Sequence, residues 1–370
     1  MTTLIDTTGT TLDLTRPVQR RRVPQDNRVG LWSAPAVIAP NNFVYKSLSN
    51  WAFNVAVGCS HACRFCYVPS AATIKQGPKL AEYGVEDPDA EWGDYVLLRP
   101  WDEDRFLASL RAAENTPRPQ LKPDGNRAVM YCSTTDPYQV IHHPDPEQQR
   151  MLSQHARWLV RRSLELIRDR STLNVRILTR SPLARADFDL FKSFGPRLLF
   201  GMSLPTLRND LAKVYEPKAP APSQRLAALR AAREAGLNVY VAVAPTYPEC
   251  DESDLRATLR AVAEVEPVTL FHEPINIRAE NVERINSQAE SLGITLRTDV
   301  FETRERWQDY AVNALQTVER LADELGISDH LHLWPDKSLG NVGVANRMPK
   351  PKEHMRWLRK WWERISEWPK

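Results

Sequence analysis

The feature that most constrains the fold of this sequence is its alternation of short apolar runs with longer helical patterns. The apolar runs predict strands at residues 52–57, 128–132, 174–178, 198–202, 238–244 and 268–271. Apolar residues at helical spacing predict helices at residues 147–168, 223–235, 253–265, 279–292 and 303–325. Near-continuous apolar strands that alternate with helices are typical of a parallel sheet buried on both faces. Six such units predict an α/β protein with an open or closed β/α barrel, with a doubly wound sheet as the alternative.

The chain divides by composition into three parts. Residues 1–45 are polar, contain the basic run Arg20-Arg21-Arg22 and are interrupted by prolines, which predicts an N-terminal arm. Residues 46–300 hold the alternating pattern and form the predicted core, and residues 301–370 form a predicted helical extension. Within the core, residues 87–126 carry five prolines, so we expect a long excursion with one helix near residues 102–113. Such excursions often serve as lids or substrate loops.

Composition excludes several classes of protein. The net charge of +3 gives no global electrostatic argument for nucleic acid, so local patches must supply any such argument. No run of about 18 apolar residues occurs, and the polar N-terminus lacks the apolar segment of a signal peptide. We therefore expect no membrane span and a cytoplasmic location. Of the five cysteines, three fall within eight residues, which is a poor disulfide framework and favours metal binding or redox chemistry.

Those three are Cys59, Cys63 and Cys66, spaced C-x3-C-x2-C directly after the first predicted strand. Their place is therefore the C-terminal edge of the sheet, where α/β proteins gather their chemistry. A tight loop can give three thiolates to three irons of a cubane cluster and leave the fourth iron open to an external ligand. Two alternatives remain: a structural zinc site completed by His61, or three structural cysteines without a ligand.

The cysteine spacing, with the aromatic Phe65 before the last cysteine, resembles the signature of the radical S-adenosylmethionine superfamily. Between residues 50 and 277 the sequence resembles the spore photoproduct lyase-like branch. Besides the cysteines, the segments that carry this resemblance are residues 132–139, 178–182, 201–204, 215–220 and 243–245. The resemblance implies a partial (β/α)6 barrel, a [4Fe–4S] cluster, S-adenosylmethionine and an external electron donor of the flavodoxin or ferredoxin type. The implied reaction is reductive cleavage of S-adenosylmethionine to a 5′-deoxyadenosyl radical that takes a hydrogen atom from the substrate.

The resemblance also assigns roles to residues at the ends of the predicted strands. The residues that it assigns to the cofactor are Phe65, Tyr67, Ser133, Thr134, Asp136, Thr179, Arg180 and Ser203. The two aromatic rings would flank the cluster and the adenine, and the polar groups would bind the methionine end. These residues could instead have structural roles: the rings could pack in the core, Asp136 could cap a turn, and Arg180 could form a surface ion pair. Glu216 and Lys218 either belong to the site or only shape the loop that contains them.

Cys132 is the predicted catalytic residue beyond the cluster. In the branch that the sequence resembles, a cysteine near this point donates a hydrogen atom to the product radical. The register at Cys132 is ambiguous, and a slip of one residue would turn its side chain to the other face of the strand. The alternative is a small buried apolar residue. His272, Glu273 and Asn276, which follow the sixth predicted strand, are expected substrate contacts.

Residues 350–370 are basic and contain Trp357, Trp361, Trp362 and Trp368 at partly helical spacing. They predict either an amphipathic helix that docks its tryptophan face on the barrel, or a nucleic-acid surface. Three functions therefore stay open. The first is a radical enzyme that acts on a nucleic acid, the second a radical enzyme that modifies a peptide or small metabolite, and the third a non-enzymatic protein with a structural metal site.

Overall fold

The computed structural model describes residues 25–41, 48–277 and 280–369. Most of the predicted arm, with the run Arg20-Arg21-Arg22, lies outside the described residues. The strands are β1 Val29–Leu31, β2 Ile38–Pro40, β3 Trp51–Phe53, β4 Ala56–Gly58, β5 Val96–Leu98, β6 Ala128–Tyr131, β7 Asn174–Thr179, β8 Leu198–Ser203, β9 Val239–Thr246, β10 Thr269–Pro274 and β11 Leu331–Leu333. The α-helices are α1 Gly77–Ala81, α2 Glu103–Glu114, α3 Pro146–Arg170, α4 Phe188–Lys192, α5 Asn209–Tyr215, α6 Pro222–Glu234, α7 Glu252–Ala263, α8 Asn281–Leu292, α9 Arg304–Glu324, α10 Val342–Arg347 and α11 Pro351–Glu363. No helix among them is long and apolar enough to cross a membrane.

The main sheet has the strand order β2-β3-β6-β7-β8-β9-β10-β11. Every neighbouring pair from β3 to β11 is parallel, and β2 joins the edge antiparallel to β3. The order of the parallel strands follows the chain without reversal, whereas a doubly wound sheet reverses at a switch point. The structure therefore confirms a mixed α/β fold with a parallel sheet and does not show the doubly wound alternative.

The two faces of the sheet carry different clusters of buried apolar side chains, because successive residues of a strand point to opposite faces. On β8, Leu198 and Phe200 belong to the large core that includes residues of the helices, whereas Leu199 lies in a separate cluster. This second cluster, called here the Tyr240 cluster, contains Leu48, Leu199, Tyr240 and Phe271, with Trp334 and Trp368 packed against it. Helices thus cover one face of the sheet, and a smaller aromatic cluster lies on the other.

The first predicted strand, residues 52–57, is two strands in the structure. Asn54 interrupts the apolar run, so that β3 joins the main sheet and β4 joins a small sheet of order β1-β5-β4. Strand β5 comes from the predicted excursion at residues 87–126 and pairs antiparallel with β4. The excursion is therefore not a free lid, because its strand β5 pairs with β4, and β4 leads directly into Cys59. The division into arm, core and extension stays a prediction.

The C-terminal tail is docked on the fold through its tryptophans. Trp361 is 1% exposed, and the indole Nε1 of Trp357 donates to a Glu319 carboxylate oxygen at 2.5 Å. Trp362 Nε1 donates to the Pro335 carbonyl at 2.9 Å, and Trp368 Nε1 donates to a carbonyl at 2.8 Å. These contacts confirm the docked helix. Nucleic-acid contact through the basic side chains of the tail stays a prediction.

Replacing Trp361 with alanine should lower the free energy of unfolding by about 3–5 kcal/mol, because it opens a cavity in a packed interface. Denaturant unfolding measures the change. The matched control is Ile365→Ala in the same tail, whose side chain is 50% exposed and whose loss should cost about 0.5 kcal/mol or less. Equal and small effects of the two substitutions would contradict the docked arrangement.

Candidate functional site

The cysteine loop begins where β4 ends. Gly58 has φ +89°, and a Cβ atom there would lie 2.2 Å from the Tyr95 carbonyl oxygen, so only glycine lets the strand turn into the loop. Cys59 and Cys63 in this loop are buried, Cys66 is partly buried, and none of the three forms a disulfide. The structure thus gathers three unpaired thiols in one short segment beside the small sheet.

Residues after β6 hold this loop in place. The Thr135 hydroxyl donates to the Gly58 carbonyl at 2.5 Å, and the Gln139 side-chain oxygen accepts from the Ser60 N–H at 2.7 Å. Gln139 also donates to the Thr135 hydroxyl at 2.7 Å, which links the two supports. The sequence segment 132–139 therefore positions the cysteine loop. Thr135 and Gln139 lay within this segment but were not predicted as site residues.

Asp136 ties the ends of two strands to the loop. Its Oδ1 accepts from the Thr179 hydroxyl at 2.7 Å and from the Tyr138 N–H at 2.8 Å, and its Oδ2 accepts from the Arg180 N–H at 2.8 Å. His61 Nδ1 lies 3.5 Å from the same Oδ2. Burial lowers the pKa of His61, against the opposing pull of the Asp136 carboxylate. Asp136 and Thr179 are thus engaged in positioning, and their contact with a cofactor stays a prediction.

Asn54, between β3 and β4, caps the end of β6. Its side-chain oxygen accepts from the Thr134 N–H at 3.0 Å, and its amide donates to the Ser133 hydroxyl at 3.4 Å. The Tyr67 hydroxyl donates to the Ser133 carbonyl at 3.4 Å, which brings the end of the cysteine loop to the same place. The polar residue inside an apolar run was the signal that could have identified Asn54.

A buried ion network lies beside the loop. Glu216, which is 2% exposed, contacts Arg180 Nε at 2.5 Å and Arg225 Nη1 at 2.6 Å. Burial raises the pKa of the Glu216 carboxyl, but the two guanidinium groups outweigh it and hold the pKa below its ordinary value. Arg225 also donates to the Ser203 carbonyl at 3.2 Å, and the Ser203 hydroxyl donates to the Ala244 carbonyl at 3.0 Å. The ion pair considered as the alternative for Arg180 is therefore present, but it is largely buried rather than at the surface, and the contact of Arg180 with a cofactor stays a prediction.

A row of aromatic rings begins at Phe65 in the cysteine loop. The Phe65 ring lies 5.5 Å from the Arg180 guanidinium and 5.9 Å from the Tyr247 ring, measured to the ring centroids. Tyr247 stacks on Tyr215 with centroids 3.9 Å apart. The structure thus brings Phe65 and Arg180 together and adds the rings of Tyr215 and Tyr247, to which the sequence analysis gave no role.

Helix α8 clamps the other side of the cysteine loop. Arg284, which is 7% exposed, donates from Nε to the Arg64 carbonyl at 3.1 Å and from Nη2 to the Cys66 carbonyl. Its Nη1 forms an ion pair with Asp89 of the excursion. Asn281 adds a bond to the Phe65 carbonyl at 3.4 Å. Sequence reasoning predicted the helix but no role for these residues, since nothing in the local pattern marks a partner about 220 positions away.

The remaining predicted residues are held within the fold. Cys132 follows β6 at φ +60° and belongs to the main core rather than to the cluster that contains Cys59. Burial raises the pKa of its thiol, and hydrogen-atom donation by this residue stays a prediction. His272 is fully buried with Nδ1 3.1 Å from the Val243 carbonyl, and burial lowers its pKa to about 4. Asn276 donates to Asp336 at 3.0 Å, and Lys218 forms an ion pair with Asp94 at 2.9 Å.

The three cysteines of the loop fit an iron–sulfur cubane better than a single metal ion. In the described ranges, no group of three or more His, Cys, Asp or Glu side chains is arranged to hold one metal ion. A structural zinc site needs four donors around one ion, whereas a cubane takes each thiolate on a different iron. Burial raises the pKa of the Cys63 thiol to about 12 and also raises that of Cys66. Bound iron would have to supply the positive charge that keeps such buried thiols ionised.

No family model matches the sequence. It is 32% identical to the uncharacterized protein ORF301 of Acidianus two-tailed virus over 268 residues, which are 68% of this chain and 79% of that protein. It is 26% identical to the uncharacterized protein MJ0683 of Methanocaldococcus jannaschii over 62% of this chain and 72% of that protein.

The fold is similar to that of solved spore photoproduct lyase structures. A complex with dinucleoside spore photoproduct has a TM-score of 0.56 and 15% sequence identity, with 84% of this chain and 83% of that chain covered. A mutant form with bound AdoMet and the same dinucleoside has the same TM-score, identity and coverage. At this identity the likeness establishes a shared fold.

Proposed function

We propose that this chain belongs to the radical S-adenosylmethionine superfamily, in its spore photoproduct lyase-like branch, and that Cys59, Cys63 and Cys66 hold one [4Fe–4S] cluster. With S-adenosylmethionine, such a cluster supplies a 5′-deoxyadenosyl radical by one-electron reductive cleavage. The observation that carries the proposal is the buried loop of three unpaired cysteines, held by residues at the C-terminal ends of parallel strands. This edge is where open and closed α/β sheets place their active sites.

The residues around the loop divide into groups that position the loop and groups that we propose to contact the cofactor. Asp136, Thr179 and Ser203 have their side chains engaged by the protein, which supports a role in holding the strand ends in register besides their proposed contact with the cofactor. The Thr134 hydroxyl has no hydrogen-bond partner within the described residues and is available to the methionine end of S-adenosylmethionine. We propose that Arg180 adds positive charge there, and that Phe65 and Tyr67 exclude water from the reacting atoms.

We propose that the sheet is the partial (β/α)6 barrel of this branch, which the sequential strand order supports. The electron for reductive cleavage would come from an external flavodoxin-like or ferredoxin-like donor. No residue of the chain is assigned to that contact.

A nucleic acid is the proposed substrate class. Its support is that spore photoproduct lyase, which shares this fold, was solved in complex with dinucleoside spore photoproduct. Whether the reaction is of lyase or oxidoreductase type depends on that substrate. Mobility shift with DNA at several salt concentrations tests the proposal, because phosphate contacts weaken steeply as salt rises. Binding that does not respond to salt would favour the peptide or small-metabolite alternative.

Anaerobically reconstituted chain should bind about four irons and four sulfides, as one cubane requires. Cys59→Ala, Cys63→Ala and Cys66→Ala should each remove most of this iron, because each deletes one of only three protein ligands. The matched control is Cys250→Ala, whose cysteine lies outside the loop and should leave the iron content unchanged. One zinc per chain without labile sulfide would contradict the cluster and support the structural metal site.

A further inference from the structure

Arg176, the third residue of β7, is a buried cation that forms no ion pair with another described residue. Its side chain is 0% exposed. Burial lowers its pKa to about 10, because the charged form loses its hydration, and the Tyr240 hydroxyl and the Asp124 carboxylate oppose this effect only in part. Its Nη2 has one long hydrogen bond, to the Ser366 hydroxyl at 3.5 Å, whereas its Nε and Nη1 have no partner in the part of the chain that the structure describes.

Aromatic rings surround this guanidinium. Its central carbon lies 5.0 Å from the ring centroids of Tyr240 and Trp368 and 5.7 Å from that of Phe271. The faces of aromatic rings attract a cation, but they do not satisfy its in-plane N–H groups as an oxygen acceptor would. A buried charge is normally both paired and hydrogen-bonded, whereas the acceptors beside Arg176 are the neutral hydroxyls of Ser366 and Tyr240, and its Nε and Nη1 stay without a described hydrogen-bond partner.

Further unsatisfied donors lie around the same rings. Trp334, whose ring stacks on Phe271 at 4.7 Å, has a buried Nε1 without a described partner. The hydroxyl of Thr269, which is the register neighbour of Tyr240, is also buried without a described partner. The indole N–H of Trp334 and the two guanidinium nitrogens of Arg176 that lack a described partner can only donate, and the Thr269 hydroxyl can donate as well. The chemistry they share selects a negatively charged acceptor.

The C-terminal segment packs against Arg176 through Ser366 and Trp368. Ser366, 3% exposed, accepts from the Asn126 side chain at 3.1 Å, and the partly exposed Trp368 is anchored to the Pro196 carbonyl at 2.8 Å. Residues 364–369 therefore cover one side of the guanidinium as a thin layer.

We infer that Arg176 and the donors around it bind a small oxyanion, a carboxylate or a phosphate, beneath residues 364–369. The site lies in the N-terminal half of β7, whereas the cysteine loop is held at the C-terminal ends of the strands. It is therefore distinct from the proposed S-adenosylmethionine site and independent of the proposed function. It also gives the tail a role, as the cover of a buried anion site.

The test uses the full chain with inorganic phosphate or acetate as the probe. Phosphate or acetate replaces chloride at constant ionic strength while the melting temperature is followed. Wild type should show a saturable rise, as expected for a ligand that binds only the folded state. Arg176→Met should lose the saturable part, with apparent affinity at least about tenfold weaker. A non-saturating rise in both chains is the general salt effect of phosphate and would overturn the inference.

Arg197→Met is the matched control. Arg197 also lies over an aromatic ring, that of Phe194 at 5.4 Å, but its guanidinium donates to the Ser171 and Arg168 carbonyls at 2.9 and 3.0 Å. This variant should lose stability and keep the anion response. If Arg176→Met does not fold, ion chromatography of anions released from denatured wild type decides. About one bound oxyanion per chain supports the site. No released oxyanion and no saturable response would overturn it and leave water as the partner of Arg176.

Discussion

Glu216→Gln is expected to lower the free energy of unfolding by about 3–5 kcal/mol, because it removes the charge that pairs with two buried or partly buried guanidinium groups. The carboxylate bridges Arg180 and Arg225 at 2.5 and 2.6 Å, and Arg225 is fully buried. Without that charge, Arg225 would remain in the interior with only carbonyl acceptors. Denaturant unfolding measures the loss, and weaker S-adenosylmethionine binding should accompany it, because Arg180 also loses its anchor.

The control for this substitution is Glu264→Gln. Glu264 pairs with Arg230 at the same distance of 2.6 Å, but both side chains are about half exposed. An exposed pair contributes about 0–1 kcal/mol, so the control should change stability little. A Glu216 variant as stable as the Glu264 variant would show that the buried network does not hold the site together.

Arg284→Met is expected to weaken retention of the cluster by about 10–100-fold, the usual effect of removing an outer support of a metal site. The substitution deletes the hydrogen bonds to the Arg64 and Cys66 carbonyls and leaves Asp89 as an unpaired buried charge. The measurement is the rate of iron loss to a chelator under anaerobic conditions, which does not depend on enzyme turnover.

Two variants separate positioning from general destabilisation. Arg284→Lys keeps the charge beside Asp89 but cannot reach every acceptor, so its iron loss should be intermediate. Gln288→Ala, on the same helix, removes only a bond to the Arg64 side chain at 3.0 Å and should lose iron almost as slowly as wild type. Iron retention in Arg284→Met equal to that of Gln288→Ala would refute the clamp by α8.

The sequence predicted the parallel strands well because they are buried, and a buried parallel strand is a continuous apolar run. Strands β6 to β10 lie within three residues of their predicted bounds. The first strand was wrong as one element, since its division depends on pairing between β4 and the distant β5. Strand β11 was missed because its three residues carry no periodic signal of their own.

The site was predictable to the extent that its residues lie next to one another in the chain. The cysteine loop and the segment 132–139 are local motifs, and the structure brings them together. Arg284 and Asp89 act through contacts between segments about 195 residues apart, and nothing in one sequence marks such a pair. The hydrogen bonds of Asp136 likewise depend on Thr179 and Arg180, which lie at the end of a different strand, β7.

The central claim is that three cysteines of this chain support reductive cleavage of S-adenosylmethionine. Its most direct test is anaerobic incubation of reconstituted chain with dithionite and S-adenosylmethionine, with quantification of 5′-deoxyadenosine. The intact chain should form 5′-deoxyadenosine, and a chain carrying Cys59→Ala, Cys63→Ala and Cys66→Ala together should form none above the protein-free background. Equal formation by the two chains, or none from an intact chain that carries its four irons, would contradict the claim.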